Sequence, residues 1–253
     1  MTAEKITALP RRAPRVGLVE AVRRSMGGDG VGEWQVRVFL AELEPWARWI
    51  GEAGELLDQR ERAKVARHLR PQDVRMLTMT YALHRLLLAH ALDVAPGQVP
   101  IDRDRRGRPV LHGQHLSTSL SHADGLAAFA ITRAGPVGVD IEPVTRQASM
   151  AEIRAHVCHA TEQGDYPLTP AGTLAMLALW VRKEALLKAA GVGLGREMSS
   201  FSAPEGVPVC LEPELQGELA ARMLDAGRGC LAAVATRPAA SIRWSWLAPP
   251  HEA

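Results

Sequence analysis

The sequence predicts an α+β protein built from two parts of similar size. Each half offers one long helix-forming segment, near residues 72–92 and 173–190, together with several short strand-like runs. Neither a Gly-x-Gly-x-x-Gly nor a Gly-x-x-x-x-Gly-Lys-Ser/Thr loop occurs, which removes the commonest dinucleotide and nucleotide cradles. One long helix and several short strands in each half fit a doubly wound α/β sheet less well. No sequence repeat relates the halves.

Taken in order, residues 1–33 mix Arg, Gly, Pro and small residues without sustained periodicity, so a flexible or loosely packed extension is expected, with no regular element over Ser25–Gly30. Trp34–Leu43 alternates and opens the first folded part, residues 34–133. A helical region follows from Pro45 to Leu69. Pro71, suited to a first helical turn, starts a helix over Gln72–Leu92, with Asp73 favouring its positive end. Asp93–Pro100 reads as a loop, and Asp102–Pro109 as a charged turn before Val110-Leu111. Leu116–Leu120 and Leu126–Thr132 are short strands joined through Ser121-His122-Ala123-Asp124-Gly125. Arg133-Ala134-Gly135-Pro136 is the seam to the second part, residues 134–253. There a carboxylate-bearing strand precedes a helix over Met150–Val157, a polar loop through Pro170, and a long helix from Thr173 to Ala190 stopped by Gly191. Leu231–Ala235 and Ser241–Leu247 are further strands.

Composition bounds the function. With 47% hydrophobic and 23% charged residues among 253, the chain can bury a sizeable core. A formal net charge of +2 is too small to argue for nucleic acid or a membrane surface. Three widely spaced cysteines without a Cys-x-x-Cys pair suggest neither a disulfide framework nor zinc, so a reducing cytoplasm is the default. No apolar run reaches the length of a membrane span, and the N-terminus lacks a signal peptide's apolar core.

The most informative stretch is Val137-Gly138-Val139-Asp140-Ile141-Glu142. Its strict alternation puts Val137, Val139 and Ile141 on one face and Gly138, Asp140 and Glu142 on the other. In Trp180-Val181-Arg182-Lys183-Glu184-Ala185-Leu186-Leu187-Lys188 the helical period aligns Trp180, Glu184 and Lys188 on one stripe. If that stripe faces the strand, three carboxylates and an ammonium converge. Such acids are costly together without a cation, and all-oxygen ligation points to Mg²⁺ with a phosphorylated substrate. The ordinary alternatives are a solvated strand face and a core helix carrying a few ion pairs.

Other residues are weaker pointers. His122 at a strand end near Gly125 is suited to a phosphate or to a structural role. Arg60, Arg62, Lys64 and Arg67 crowd one helical stretch, as solvated surfaces do. Arg85 is different: it lies among Leu83, Leu86 and Leu87, where an unpaired charge is expensive. Arg108 occupies a constrained loop. Several guanidiniums near one acidic site suit a ligand with multiple phosphates.

Val139-Asp140-Ile141-Glu142 followed by Trp180-x-x-Lys183-Glu184-Ala185-x-x-Lys188, with Ser119-Leu120-Ser121-His122 upstream, resembles the 4′-phosphopantetheinyl transferases, specifically the larger surfactin-synthetase-activating type. His84-Arg85 and Gly107-Arg108-Pro109 extend the resemblance, which covers about Arg60 to Ala235. It implies two similar α+β halves related by pseudo-twofold symmetry, with coenzyme A between them. It also implies a reaction, in which phosphopantetheine passes from coenzyme A to a serine of an apo acyl or peptidyl carrier protein and 3′,5′-ADP is released. By position, Asp140, Glu142 and Glu184 would hold Mg²⁺, with Mn²⁺ as the other candidate. Asp140, Glu184 and Lys188 would be the catalytic residues, Glu184 or a metal-bound water taking the serine proton and Lys188 stabilising phosphate charge. Ser121, His122, Arg85 and Arg108 would contact coenzyme A, with Arg62 and Lys64 at its 3′-phosphate. Val157–Glu162 departs from the family pattern in lacking its aromatic residue. A cytoplasmic monomer serving secondary metabolism is expected. The rivals are a non-catalytic coenzyme A or nucleotide-binding module and another Mg²⁺-dependent phosphotransferase.

Overall fold

The computed structural model describes residues 16–27, 32, 35–105, 107–211 and 217–250. Two halves repeat one topology. In the first, β1 (Gln35–Glu42) leads through two short helices, α2 (Ile50–Leu56) and α3 (Gln59–Val65), into the long α4 (Pro71–Leu92). A small hairpin, β2 (Ile101–Arg103) with β3 (Pro109–Leu111), precedes the antiparallel pair β4 (Ser117–Ala123) and β5 (Leu126–Thr132). In the second half, β6 (Val137–Pro143) leads through α5 (Met150–Val157) into the long α6 (Pro170–Ala190), followed by the pair β7 (Ala220–Leu224) and β8 (Cys230–Thr236). Each half's first strand pairs antiparallel with its last, so the sheet orders β4-β5-β1 and β7-β8-β6 correspond strand for strand. The α+β reading holds.

The layers are helix, sheet, sheet, helix. Alternation along the strands dictates this, because both faces of both sheets are apolar. On β1, Phe39 and Ala41 turn to α4 and pack with Leu83 and Leu87. Val36, Val38 and Leu40 turn the other way, against Val137, Val139, Ile141 and Val234 of the second sheet. That sheet's outer face, through Ala233 and Ala235, receives Ala185, Leu186 and Ala189 of α6. The two sheets thus share a dry middle layer, and the edge strands β4 and β6 run side by side, Ser119 Oγ accepting from the Val139 amide at 3.1 Å.

Two expectations need correction. Residues 18–26 do not form a loose extension: they form helix α1 (Leu18–Met26), with Leu18, Ala21, Val22 and Met26 buried in the α4 core. It is held at its start by Glu52 (Leu18 amide to Oε2, 2.7 Å), by Trp49 (Nε1 to Val16 carbonyl, 2.8 Å), and at its end by Ser25, whose Oγ accepts from the Ala248 amide at 2.8 Å. Ser25 and Met26 belong to this helix; Gly28–Gly30, and Trp34 of the first expected strand, lie outside the described residues. The second correction concerns residues 134–253 as one half. Its last strand, β9 (Ser241–Leu247), crosses back and pairs in parallel with β1 in the N-terminal sheet.

Candidate active site

The site is built where α6 lies on β6. A Cβ on Gly138 would stand 2.0 Å from the Ala185 carbonyl oxygen and 2.5 Å from the Ala189 amide. Only a residue without a side chain lets the helix come that close. The close approach sets Asp140 and Glu142, the next residues on that face, against Glu184 and Lys188. Asp140 is 3% exposed and Glu142 7%. The Lys188 ammonium donates to Asp140 Oδ1 (2.7 Å), to Ser121 Oγ (2.9 Å) and to the Val139 carbonyl (3.2 Å). The Ser121 hydroxyl donates to Asp140 Oδ1 at 2.7 Å, so strand β4 supplies a third wall. Glu142 Oε1 accepts from Arg146 Nη1 at 2.9 Å, and that guanidinium also stands 5.0 Å from the Trp180 ring centre.

The electrostatics are those of an acid cluster short of positive charge. Burial, and after it the charge of Asp140, pushes the Glu142 carboxyl up to about 7, against the opposing pull of Arg146 and Lys188. The same two causes raise Glu184. Asp140 Oδ2 and Glu142 Oε2 are buried without a hydrogen-bond partner. Free buried carboxylate oxygens of neighbouring like-charged groups fit a hard divalent cation. Among the described residues, no three such side chains are gathered as a ready-made metal cage. Two of the cluster's oxygens are taken instead by cations of the chain itself, Lys188 and Arg146.

A pH dependence follows for metal-free protein. Glu142 binds its proton more tightly in the folded chain than in the unfolded one, so stability is greatest below about 4.5 on this account and declines as pH rises to about 7. The full effect is at most about 3 kcal/mol. Thermal denaturation in a chelator between pH 5 and 7.5 should show it, and saturating Mg²⁺ should flatten it.

A cleft of about 580 Å³ opens from this cluster between the halves. Glu184, Leu187, Lys188 and Gly191 form one side; Ser119–His122 form the floor; Lys64, Tyr81, Arg103 and Arg108 form the other. The Arg108 guanidinium lies against Gly191, where a Cβ would meet it at 2.2 Å, and that residue's φ of 72° is itself a glycine conformation. Burial, then the charge of Lys188 and Lys64, holds His122 below its ordinary value, so it is a neutral hydrogen-bonding group at pH 7. A trench acidic at one end and cationic along its far wall suits a polyphosphate with a divalent ion at one end.

A family model described as the 4′-phosphopantetheinyl transferase superfamily matches residues 136–234, and one described as the N-terminal part of 4′-phosphopantetheinyl transferases matches residues 42–133. The chain belongs to the 4′-phosphopantetheinyl transferase superfamily. It is 32% identical over 159 residues to a protein of Synechocystis sp. that carries a provisional 4′-phosphopantetheinyl transferase name, covering 60% of this chain and 64% of that one, just under two thirds of the relative's length. It is 27% identical to the 4′-phosphopantetheinyl transferase HetI of Nostoc sp. over 66% of this chain and 71% of HetI. It is 28% identical to the L-aminoadipate-semialdehyde dehydrogenase-phosphopantetheinyl transferase of Schizosaccharomyces pombe, over 64% and 69% of the two chains.

Within this 4′-phosphopantetheinyl transferase fold, not every expected residue reaches the cleft. Glu184, Lys188, Ser121, His122, Lys64 and Arg108 line it, Asp140 is bonded behind Lys188 and Ser121, and Glu142 adjoins the cluster from the flank. Arg85 does not. Its guanidinium, 4% exposed, is locked to Asp58 Oδ2 (2.9 Å) and Glu61 Oε2 (2.8 Å). These are the two residues of the capping box that starts α3. Arg85 therefore braces the helix that carries Lys64 rather than meeting a ligand. Arg62 points away from the cleft and donates to the Glu55 carbonyl at 3.2 Å. Arg103 is the residue the sequence reading missed: it lines the cleft, its guanidinium 4.5 Å from the Tyr81 ring centre, with Nη2 buried and unpartnered. Its place on a two-strand hairpin opposite a helix 22 positions earlier leaves no local signal.

Proposed function

We propose that the chain transfers 4′-phosphopantetheine from coenzyme A to a serine of an apo acyl or peptidyl carrier protein, releasing 3′,5′-ADP, with Mg²⁺ or Mn²⁺ as the activating ion. One observation carries the reading. The Asp140–Glu142–Glu184 cluster, with two free buried oxygens and Lys188 beside it, stands at the end of a cleft whose opposite wall is cationic. The residues fit the ion: Asp140, Glu142 and Glu184 would hold it, and its charge would offset that of the pyrophosphate.

The chain's own groups supply the rest. Arg108, Arg103, Lys64 and His122 bind the phosphates of coenzyme A and fix the diphosphate against Lys188. The serine oxygen forms a bond to the β-phosphorus as the bond to the bridging oxygen breaks, and that electron pair leaves on 3′,5′-ADP. Lys188 lies where it can neutralise the developing charge, and Glu184, which lines the cleft beside it, accepts the serine proton. Transfer of this kind asks for positioning and charge rather than covalent help from the protein. The two-half architecture suits the larger, surfactin-synthetase-activating type, acting as a cytoplasmic monomer in secondary metabolism.

The test is incubation with coenzyme A, Mg²⁺ and a panel of apo carrier proteins. Mass spectrometry should find one phosphopantetheine on a carrier serine and 3′,5′-ADP in solution. Tight binding of coenzyme A without modification of any carrier would favour a binding module, and turnover with ATP alone would favour another phosphotransferase. Steady-state kinetics should also separate the arginines. Arg108→Ala should raise the KM for coenzyme A about tenfold or more, the loss expected for a charge-assisted phosphate contact. Arg62→Ala should leave it within about twofold, because that side chain lies outside the cleft.

A further inference from the structure

Arg146 stands apart from every role assigned above. It lies just after β6, in a two-turn 3-10 segment over Val144–Ser149, and pairs with Glu142 at 2.9 Å while lying over the Trp180 ring. Its side chain is 40% exposed, whereas that of Glu142 is 10% exposed, so the guanidinium closes the acid cluster from outside. It does so on the flank beyond His122, where Arg146 and Glu142 themselves line a second hollow of about 470 Å³ together with His122, Asp124, Thr145 and Ser149. Asp124, at the tip of the β4–β5 hairpin, gives that hollow a carboxylate of its own.

Resting on the metal-dependent reading above, we infer that Arg146 is a displaceable counter-cation: it covers Glu142 while the acid cluster holds no metal, and turns out into the neighbouring hollow when a divalent ion enters. Three observations support this. Glu142 has one oxygen engaged by Arg146 and one buried and free, so the carboxylate is already half committed to a cation. A guanidinium in contact with that carboxylate and a divalent ion bound to it repel one another across a few ångströms. The hollow gives the side chain room and an alternative partner in Asp124. Lys188 is the contrasting case. It is anchored to Ser121 and the Val139 carbonyl as well as to Asp140, so it keeps its place. Arg146 is thus a positioning residue that sets the affinity of the cluster for its ion, and Trp180 is positioned to report its departure.

The experiment is a titration of the full-length protein with MgCl2 alone, followed by calorimetry and by tryptophan emission. Wild type should bind one ion, with a change in emission that is absent from Trp180→Phe. Arg146→Gln should bind Mg²⁺ about tenfold more tightly, the order that one unit of like charge a few ångströms from a divalent ion costs in a water-like dielectric, and should lose the emission change. Arg146→Lys, which keeps the charge, should bind within about threefold of wild type. Equal or weaker Mg²⁺ binding by Arg146→Gln, or an emission change that persists in it, overturns the inference while leaving the metal site standing. Absence of Mg²⁺ binding by wild type and all variants, even with coenzyme A present, overturns both.

Discussion

Asp140→Ala should lower kcat/KM for carrier modification by about 10³-fold or more while leaving the protein folded. The size of the effect follows from how many things one carboxylate does. Oδ1 holds the Lys188 ammonium and the Ser121 hydroxyl in place, and Oδ2 is buried and free. Loss of the side chain removes a proposed ligand and the anionic partner holding Lys188, and positioned charges of this kind are each worth orders of magnitude in rate. Stability should behave differently. The charge of Asp140 raises both Glu142 and Glu184, so its removal relieves repulsion within the cluster. Melting temperatures of the metal-free wild type and variant should agree within a few degrees. Asp140→Asn, which keeps an acceptor for Lys188 but not the charge, should lose activity to a similar extent. Normal turnover by either variant would refute the assignment.

Lys183→Met has the other large effect, on folding rather than chemistry. Lys183 follows Arg182 and precedes the proposed catalytic Glu184, yet it is 0% exposed. Its ammonium donates to the Val157, Met198 and Phe201 carbonyls at 2.7, 2.9 and 2.7 Å and to Glu162 Oε2 at 2.6 Å. Glu162 in turn accepts from the amides of His159 and Ala203. One ammonium therefore ties three loop ends and a buried carboxylate to α6. Burial is the main force depressing its proton affinity, and Glu162 is the main force opposing that. Methionine fills the volume but leaves a buried charge and three carbonyls without a partner, which costs about 3–5 kcal/mol. Chemical denaturation should show that loss, and adding Glu162→Gln should recover part of it. If Lys183→Met unfolds at wild-type denaturant concentrations, the ammonium does not hold these loops.

The parts legible in the sequence were those whose cause is local. α4, α5, α6 and β6 came out close to their observed limits because period and stop signals lie within each segment, such as Pro71 at the start of α4 and Gly191 at the end of α6. The meeting of Asp140 with Lys188 was also foreseeable, since Gly138 beside two acids and a matching helical stripe point to one another. α1 is the exception: its Leu18, Ala21, Val22 and Met26 recur at helical spacing, a local signal obscured by the short length of the segment and the glycines on either side. Non-local causes were invisible. The destination of β9 depends on an open edge of β1, 206 positions earlier, to which no local pattern points. Arg85 shows half of the logic succeeding: a charge among leucines did require partners, but they proved to be Asp58 and Glu61 of the same chain. Lys183 likewise looked like a neighbour of Glu184 and nothing more, because its acceptors are carbonyl ends of distant loops.

Whether the acids of β6 and α6 serve one divalent cation is tested most directly by calorimetric titration of Mg²⁺ into the protein saturated with coenzyme A, compared between wild type and Glu184→Gln. Wild type should bind a single ion, and Glu184→Gln should bind it at least about tenfold more weakly with its fold intact. Equal Mg²⁺ affinity in the two proteins, or none in wild type, would contradict a shared site.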